Sequence, residues 1–295
     1  MNVKKEEIMF RELTDWANSK EVIRTIILTS SRANPNAYKD VFTDFDIELF
    51  VSDLQPFLTS DRWLDNFGTM ITTIPLRPVE NDGWITRLVL FEDGTKIDFQ
   101  IYTSESLKEL SNNQQLPVKY DNGYKVLLDK DNLTKDIKSP SYTAFVTTKP
   151  TEEEFCELIN DFWWDTTYVA KSLWRDELYF VKFMLDNVIR FNYLQKVIEW
   201  YIGVQNDWNV NPNKCGRWFK RYLDKETWQE LESTYAGANI EDNWNALFRT
   251  ADLFNRLSVK IGKDLGYDYP IELENKIREY LLKTRNLDKN ATAFH

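Results

Sequence analysis

Histidine is almost missing from this chain of 295 residues: the only one is His295, the last residue. A Ser-His-Asp or Cys-His catalytic arrangement is therefore excluded from the body of the protein, as is a metal site with imidazole ligands. Cysteine is scarce too. Cys156 and Cys215 lie far apart without metal-type spacing, so two reduced thiols are expected rather than a disulfide. No stretch approaches the roughly 18 apolar residues of a membrane span. The opening Met1-Asn-Val-Lys-Lys-Glu-Glu7 lacks the apolar core of a signal peptide, so a soluble, cytoplasmic protein without a membrane partner is expected. Basic charge is also in deficit. The formal net charge of −10 argues against a nucleic-acid partner, whose footprint is a basic surface. Chemistry is left to carboxylates, lysine, arginine and a bound cation.

What the chain does contain is core material. Hydrophobic residues make up 42% and aromatic residues 15%, which rules out a disordered chain. The length favours two domains of about 150 residues each. The acidic balance suits a cationic substrate, because an acidic cleft concentrates a polycation.

The two halves read differently. Residues 4–18 suit an amphipathic helix with Ile8, Leu13 and Trp16 among its apolar positions. Val22–Leu28, Phe45–Val51, Trp84–Phe91, Lys96–Tyr102 and Tyr124–Leu128 are rich in β-branched and aromatic residues and read as strands. Turn signals at Asn81-Asp-Gly83, Glu92-Asp-Gly94 and Asp121-Asn-Gly123 separate several of them, and 84–91 with 96–102 forms an expected antiparallel hairpin. Composition changes near Pro140–Pro150. Thr151-Glu-Glu-Glu154 is a helix-start signature, and helices are expected at about 151–172, 174–203, 214–222, 225–235, 241–264 and 270–284. The expected class is α+β: an N-terminal domain (1–148) with a mixed sheet and flanking helices, then an all-helical domain (149–295).

The candidate chemistry lies in the first half. Asp44 and Asp46 sit in Phe42-Thr-Asp-Phe-Asp-Ile-Glu-Leu-Phe-Val51, and on a strand residues i and i+2 share a face. A neighbouring strand, Lys96-Ile-Asp-Phe-Gln-Ile-Tyr102, brings Asp98 as a third carboxylate. Three crowded acids repel unless a divalent cation neutralises them, and hard oxygen ligands suit Mg²⁺. Upstream, Thr29-Ser-Ser-Arg32 closes an apolar run, and its amides and hydroxyls suit triphosphate oxygens. The alternative for the Asp pair is a pair of solvated strand-edge acids.

Strand, serine turn, Asp-x-Asp thirteen residues after Ser31 and a third Asp on a later strand together resemble the nucleotidyltransferase signature. The resemblance sharpens to the aminoglycoside 6-adenylyltransferases, the streptomycin-modifying enzymes. It is carried by Ser30-Ser-Arg-Ala-Asn34, Phe42-Thr-Asp-Phe-Asp-Ile47, Lys96-Ile-Asp-Phe99, Leu127-Leu-Asp-Lys-Asp131 and Asn160-Asp-Phe-Trp-Trp164. It continues in Tyr168-Val-Ala-Lys-Ser-Leu-Trp-Arg-Asp-Glu177, Leu231-Glu-Ser-Thr-Tyr235 and Leu265-Gly-Tyr-Asp-Tyr-Pro270, in order over nearly the whole chain. It implies a Mg·ATP-binding nucleotidyltransferase domain, a helical substrate-binding domain, and AMP transfer from ATP to an aminoglycoside hydroxyl with release of pyrophosphate. One departure stands out: the family's turn usually reads Gly-Ser before the arginine, and here it is Ser30-Ser31. Glycine tolerates positive φ and close phosphate approach, so serine strains or crowds such a turn.

Roles follow from these readings. Asp44, Asp46 and Asp98 are the expected metal ligands, and Asp98 is the first candidate for general base, with Glu177 second. Ser30, Ser31, Arg32, Lys171 and Arg175 are the expected nucleotide contacts. Lys171 and Arg175 are spaced i,i+4 and share a face if helical; the alternative is a solvated edge paired with Asp165 or Glu177. Arg32 is either a third phosphate contact or a turn-capping surface residue. Most of the eleven tryptophans are expected in the core, with one or two left to stack on adenine or a sugar. Asp161, Asp165, Asp176 and Glu177 are candidates to pair with the drug's cationic groups. A monomer or weak homodimer is expected. Two other functions stay open: the same fold acting on another small hydroxyl compound, and a degenerate nucleotide-binding protein without turnover.

Overall fold

The computed structural model describes residues 3–294, so Met1, Asn2 and the sole histidine, His295, lie outside the described residues. The chain divides into two compact units, Met1–Ala144 and Phe145–His295.

The first unit opens with helix α1 (Val3–Asn18), whose Met9, Leu13, Trp16 and Ala17 are buried at helical spacing. Strand β1 (Ile23–Thr29) leads into a single helical turn, α2 (Ser30–Ala33), and β2 (Phe45–Val51) follows. After α3 (Gln55–Thr59) and a 3₁₀ turn at Arg62–Phe67 come β3 (Met70–Ile74), β4 (Glu80–Asn81), β5 (Trp84–Phe91) and β6 (Lys96–Thr103). Short helices α4 (Ser106–Asn112) and α5 (Val118–Asp121) precede β7 (Tyr124–Asp129). The seven strands form one sheet in the order β3-β5-β6-β2-β1-β7, with β4 paired to β5. The β2–β6 pairing is parallel and the others are antiparallel, so the sheet is mixed.

Alternation along the central strands builds the core. Phe45, Ile47, Leu49 and Val51 on β2, and Ile97, Phe99 and Ile101 on β6, turn to one face against α1 and the tryptophan pair Trp16 and Trp63, stacked 5.5 Å apart. The same face of β5 carries Ile85, Arg87 and Val89, all fully buried. Arg87 is an unexpected core residue. Its guanidinium donates to the Asp61 carboxylate, to Thr73 Oγ1 and to the Pro75 carbonyl, which ties β3 and the loop after it onto the sheet.

The second unit is helical. It comprises α6 (Glu152–Trp174), α7 (Leu178–Phe183), a π-helical stretch (Met184–Leu194), α8 (Gln195–Gln205), a 3₁₀ turn at Lys214–Gly216, α9 (Phe219–Tyr222), α10 (Lys225–Ser233), α11 (Ile240–Leu265) and α12 (Ile271–Asn286). The expected capping box forms: Thr151 Oγ1 accepts from the Glu154 amide while the Glu154 carboxylate accepts from the Thr151 amide. Phe162 and Phe254 stack 3.6 Å apart at the centre of this core, and Trp163, Trp200 and Trp244 are buried in it. Trp164 remains 61% exposed.

The helix expected from 174 starts at Leu178, because Asp176 adopts φ +62° and breaks the chain after α6. The helix expected over 214–222 is two short turns, interrupted where Cys215 takes φ +54°. Both cysteines are free thiols. Among the described residues no helix is long and apolar enough to cross a membrane.

Candidate active site

Three chain segments bring the acids to one end of the sheet. β1 ends at Thr29, which pairs with Asp46 of the antiparallel β2. The parallel β6 starts at the same end, and its register sets Asp98 directly opposite Asp46. Asp44 lies one residue before β2. The serine turn follows Thr29, so Ser30 and Ser31 emerge beside Asp46. Gly123 completes this rim at the start of β7: a Cβ there would sit 2.9 Å from the Asn34 backbone, so only glycine lets β7 approach the turn this closely.

The turn has the conformation that the Gly-to-Ser departure made critical. Ser30 adopts φ +62°, in the left-handed region, held by its amide donating to the Gly123 carbonyl at 3.0 Å and its carbonyl accepting from Asn34 at 3.0 Å. A non-glycine residue there is strained by about 1–2 kcal/mol. Ser30→Gly is accordingly expected to raise stability by up to about 1 kcal/mol, part of the relief being lost to the freer unfolded chain. Thermal unfolding of the variant checks this, and an unchanged or lower midpoint would contradict it. Because the Ser30 amide is already bonded, this turn offers a ligand the Ser30 hydroxyl and the amide and hydroxyl of Ser31.

The electrostatics bear the mark of crowded like charges. Burial, with Asp98 and Asp44 close by, pushes the Asp46 carboxyl up to about 6. Burial also raises Asp98, partly offset by Lys96. Lys96 was not anticipated. Its Nζ lies 2.9 Å from Asp44 Oδ2 and 3.2 Å from Asp98 Oδ1, bridging two of the three acids. Its signal was legible: Lys96 and Asp98 are spaced i,i+2 on β6 and share a face, by the alternation that aligns Asp44 with Asp46. Among the described residues the acids are not drawn into a closed set of three metal ligands, and the ammonium of Lys96 engages two of them.

The donors fit a hard divalent cation. They are all carboxylate oxygens, Asp98 Oδ1 is buried with no hydrogen bond beyond its 3.2 Å ion pair to Lys96, and that positive group already stands between Asp44 and Asp98. Glu48, next along the same face of β2, is not a fourth ligand. It is 2% exposed and engaged by the Tyr120 hydroxyl and by Lys119 Nζ at 2.5 Å. A cleft of about 400 Å³ opens beside Asp44, lined by Glu6, Asp40, Phe42, Asp93 and Lys96 among others.

Arg32 lines the same cleft and is not the surface cap of the alternative reading. It is 9% exposed. Its guanidinium lies 3.8 Å from the Phe45 ring centroid, 3.6 Å from Glu6, and donates to the carbonyls of Thr43 and Asp44. Phe45 and the approach of α1 bury it, and it fixes the backbone that presents Asp44.

In the helical unit, Lys171 and Arg175 lie at the end of α6, with Lys171 Nζ 4.3 Å from the Tyr168 ring centroid. Among the described residues neither enters an ion pair with Asp165 or Glu177. Asp165 instead accepts from the Tyr193 hydroxyl at 2.7 Å. Glu177, Asp161 and Asp176 are exposed.

The family model for streptomycin adenylyltransferase matches residues 3–284. An aminoglycoside 6-adenylyltransferase of Bacillus subtilis is 34% identical over 91% of this chain and 94% of its own length. One of Campylobacter jejuni is 31% identical over 96% of each chain. A crystal structure of the Bacillus subtilis aminoglycoside 6-adenyltransferase aligns at 30% identity with a TM-score of 0.47, covering 95% of this chain and 98% of that one. The family model and the Bacillus subtilis relative each span more than nine-tenths of the sequence, and on that basis the chain belongs to the streptomycin adenylyltransferase family of nucleotidyltransferases.

Proposed function

We propose that this protein transfers AMP from ATP to a hydroxyl of an aminoglycoside, of streptomycin type at the 6-position, releasing pyrophosphate and requiring Mg²⁺. The observation that carries the reading is the direct pairing of Asp46 with Asp98, beside Asp44, at the rim where the serine turn emerges. The relatives' shared name, aminoglycoside 6-adenylyltransferase, supports the acceptor class. The net charge of −10 suits a cationic drug.

In this reading the N-terminal unit binds ATP and the helical unit binds the drug. Asp44, Asp46 and Asp98 hold the cation, which when bound neutralises the phosphate oxygens and the pyrophosphate leaving group. The Ser30 hydroxyl and the amide and hydroxyl of Ser31 orient the triphosphate, and Lys171 and Arg175 add positive charge to it. Asp98 takes the proton from the acceptor hydroxyl as that oxygen bonds to the α-phosphorus and the bond to pyrophosphate breaks. Burial raises Asp98, which strengthens it as a base once ionised. Glu177 is the second candidate for that proton. The product carries a bulky anionic group on a drug that relies on positive charge.

A pyrophosphate-release assay with Mg·ATP across streptomycin and an aminoglycoside panel tests this. Release is expected with streptomycin and is expected to vanish when Mg²⁺ or the drug is omitted. No release with any aminoglycoside, despite ATP binding, would contradict it and favour a nucleotide-binding protein without turnover.

A further inference from the structure

Lys96 and Asp98 project from the same face of β6, and the parallel register with β2 places Asp44 next to Lys96 and Asp46 opposite Asp98. The result is two rungs at the sheet mouth, one of opposite charges and one of like charges. The Lys96 ammonium lies 2.9 Å from Asp44 Oδ2 and 3.2 and 3.3 Å from the two oxygens of Asp98. Its side chain is 39% exposed, so it can leave this position without disturbing the core beneath. Three carboxylates and one ammonium leave two formal negative charges, the number a divalent cation neutralises.

We propose that Lys96 is a built-in surrogate cation: in the metal-free protein it holds Asp44 and Asp98 towards the mouth, and the divalent cation displaces it. Lys96 is thus a positioning residue for the metal site, and the proposal rests on the three-aspartate reading given above. Metal and ammonium compete for the same two carboxylates. The competition lowers metal affinity in return for a site that does not fly apart when empty. Once displaced, the ammonium stays tethered at the mouth, one positive charge beside the position of the triphosphate.

The test is Mn²⁺ binding to the full chain without nucleotide, followed by calorimetry, for wild type, Lys96→Gln and Lys96→Arg. Loss of the competing ion pairs is expected to tighten Mn²⁺ binding about five- to tenfold in Lys96→Gln and to lower the unfolding temperature of its metal-free form, with Lys96→Arg close to wild type. A second readout needs no variant. In wild type, acylation of Lys96 followed by mass spectrometry is expected to speed up several-fold on adding Mn²⁺, relative to lysines remote from the site. Equal or weaker Mn²⁺ binding by Lys96→Gln would overturn the surrogate role while leaving the metal site standing. So would Lys96 labelling that Mn²⁺ does not change, which would reduce any affinity gain to long-range charge. Absence of Mn²⁺ binding in wild type and both variants would instead overturn the three-aspartate site, and this proposal with it.

Discussion

Replacing Asp46 with asparagine should cost AMP transfer about 10³-fold or more and yet make the metal-free protein more stable. The first effect follows from removing a carboxylate proposed to hold the cation, since a bound metal supplies several kcal/mol of transition-state stabilisation. The second follows from linkage. Asp46 titrates near 6 in the folded protein, above its ordinary 3.8. Between those values the folded state binds the proton that the unfolded state has lost, so stability falls as pH rises through this window. The full cost of ionising Asp46 is reached above about pH 6 and amounts to about 2–3 kcal/mol. Asparagine has no such cost. Wild type is therefore expected to lose stability relative to Asp46→Asn as pH rises from 4 to 7, and denaturant titrations across that range measure the difference directly. Full retained turnover in the variant would sink the catalytic assignment. A variant less stable than wild type at pH 7.5 would contradict the electrostatic account.

The largest stability effect should come from a residue far from the chemistry. Arg87 is fully buried, and its guanidinium donates to Asp61 Oδ2, to Thr73 Oγ1 and to the Pro75 carbonyl at the outer edge of the sheet. Arg87→Ala leaves the Asp61 charge and Thr73 Oγ1 without the Arg87 donor, leaves the Pro75 carbonyl only its 3.3 Å bond from Thr73, and opens a cavity against Ile85 and Val89. Breaking a buried pair from one side typically costs about 3–5 kcal/mol. A loss of that size is expected in denaturant titration, with β3 and the loop after it losing hydrogen-exchange protection first. The double variant Arg87→Met with Asp61→Asn should recover much of the loss, because no charge is then stranded. A loss below about 1 kcal/mol for Arg87→Ala would show the network to be incidental.

The contrast between these residues shows what the sequence makes legible. Richness in β-branched and aromatic residues marks Phe45–Val51, Trp84–Phe91 and Lys96–Tyr102 as strands, burial alternates along the last two, and the two-residue period of a strand places Asp44 and Asp46 on one face. Strand β3 escapes because it is a largely exposed edge followed by Pro75 and Pro78, so no buried face imposes a pattern. Arg87 occupies an inward position that alternation assigns to an apolar residue. Only Asp61, remote in sequence, accounts for it. The π-helical stretch Met184–Leu194 reads as ordinary helix, since apolar spacing does not separate an i→i+5 bond from an i→i+4 one. Arg32 looks like a phosphate ligand by position in the serine turn, and only the packing of Phe45 and Glu6 around it shows that it is buried. Ser30 is the instructive case: its departure from glycine marks the position where positive φ is needed, and the structure has it at +62°.

The central claim is that Asp44, Asp46 and Asp98 share one divalent cation with the triphosphate of ATP. The most direct measurement is anomalous diffraction from crystals grown with Mn²⁺ and a non-hydrolysable ATP analogue. The account predicts a manganese peak within bonding distance of Asp44 and Asp46, with Asp98 alongside and the analogue's phosphates on its other side. Manganese and analogue bound elsewhere, with Asp44 and Asp98 still paired to Lys96, would contradict it.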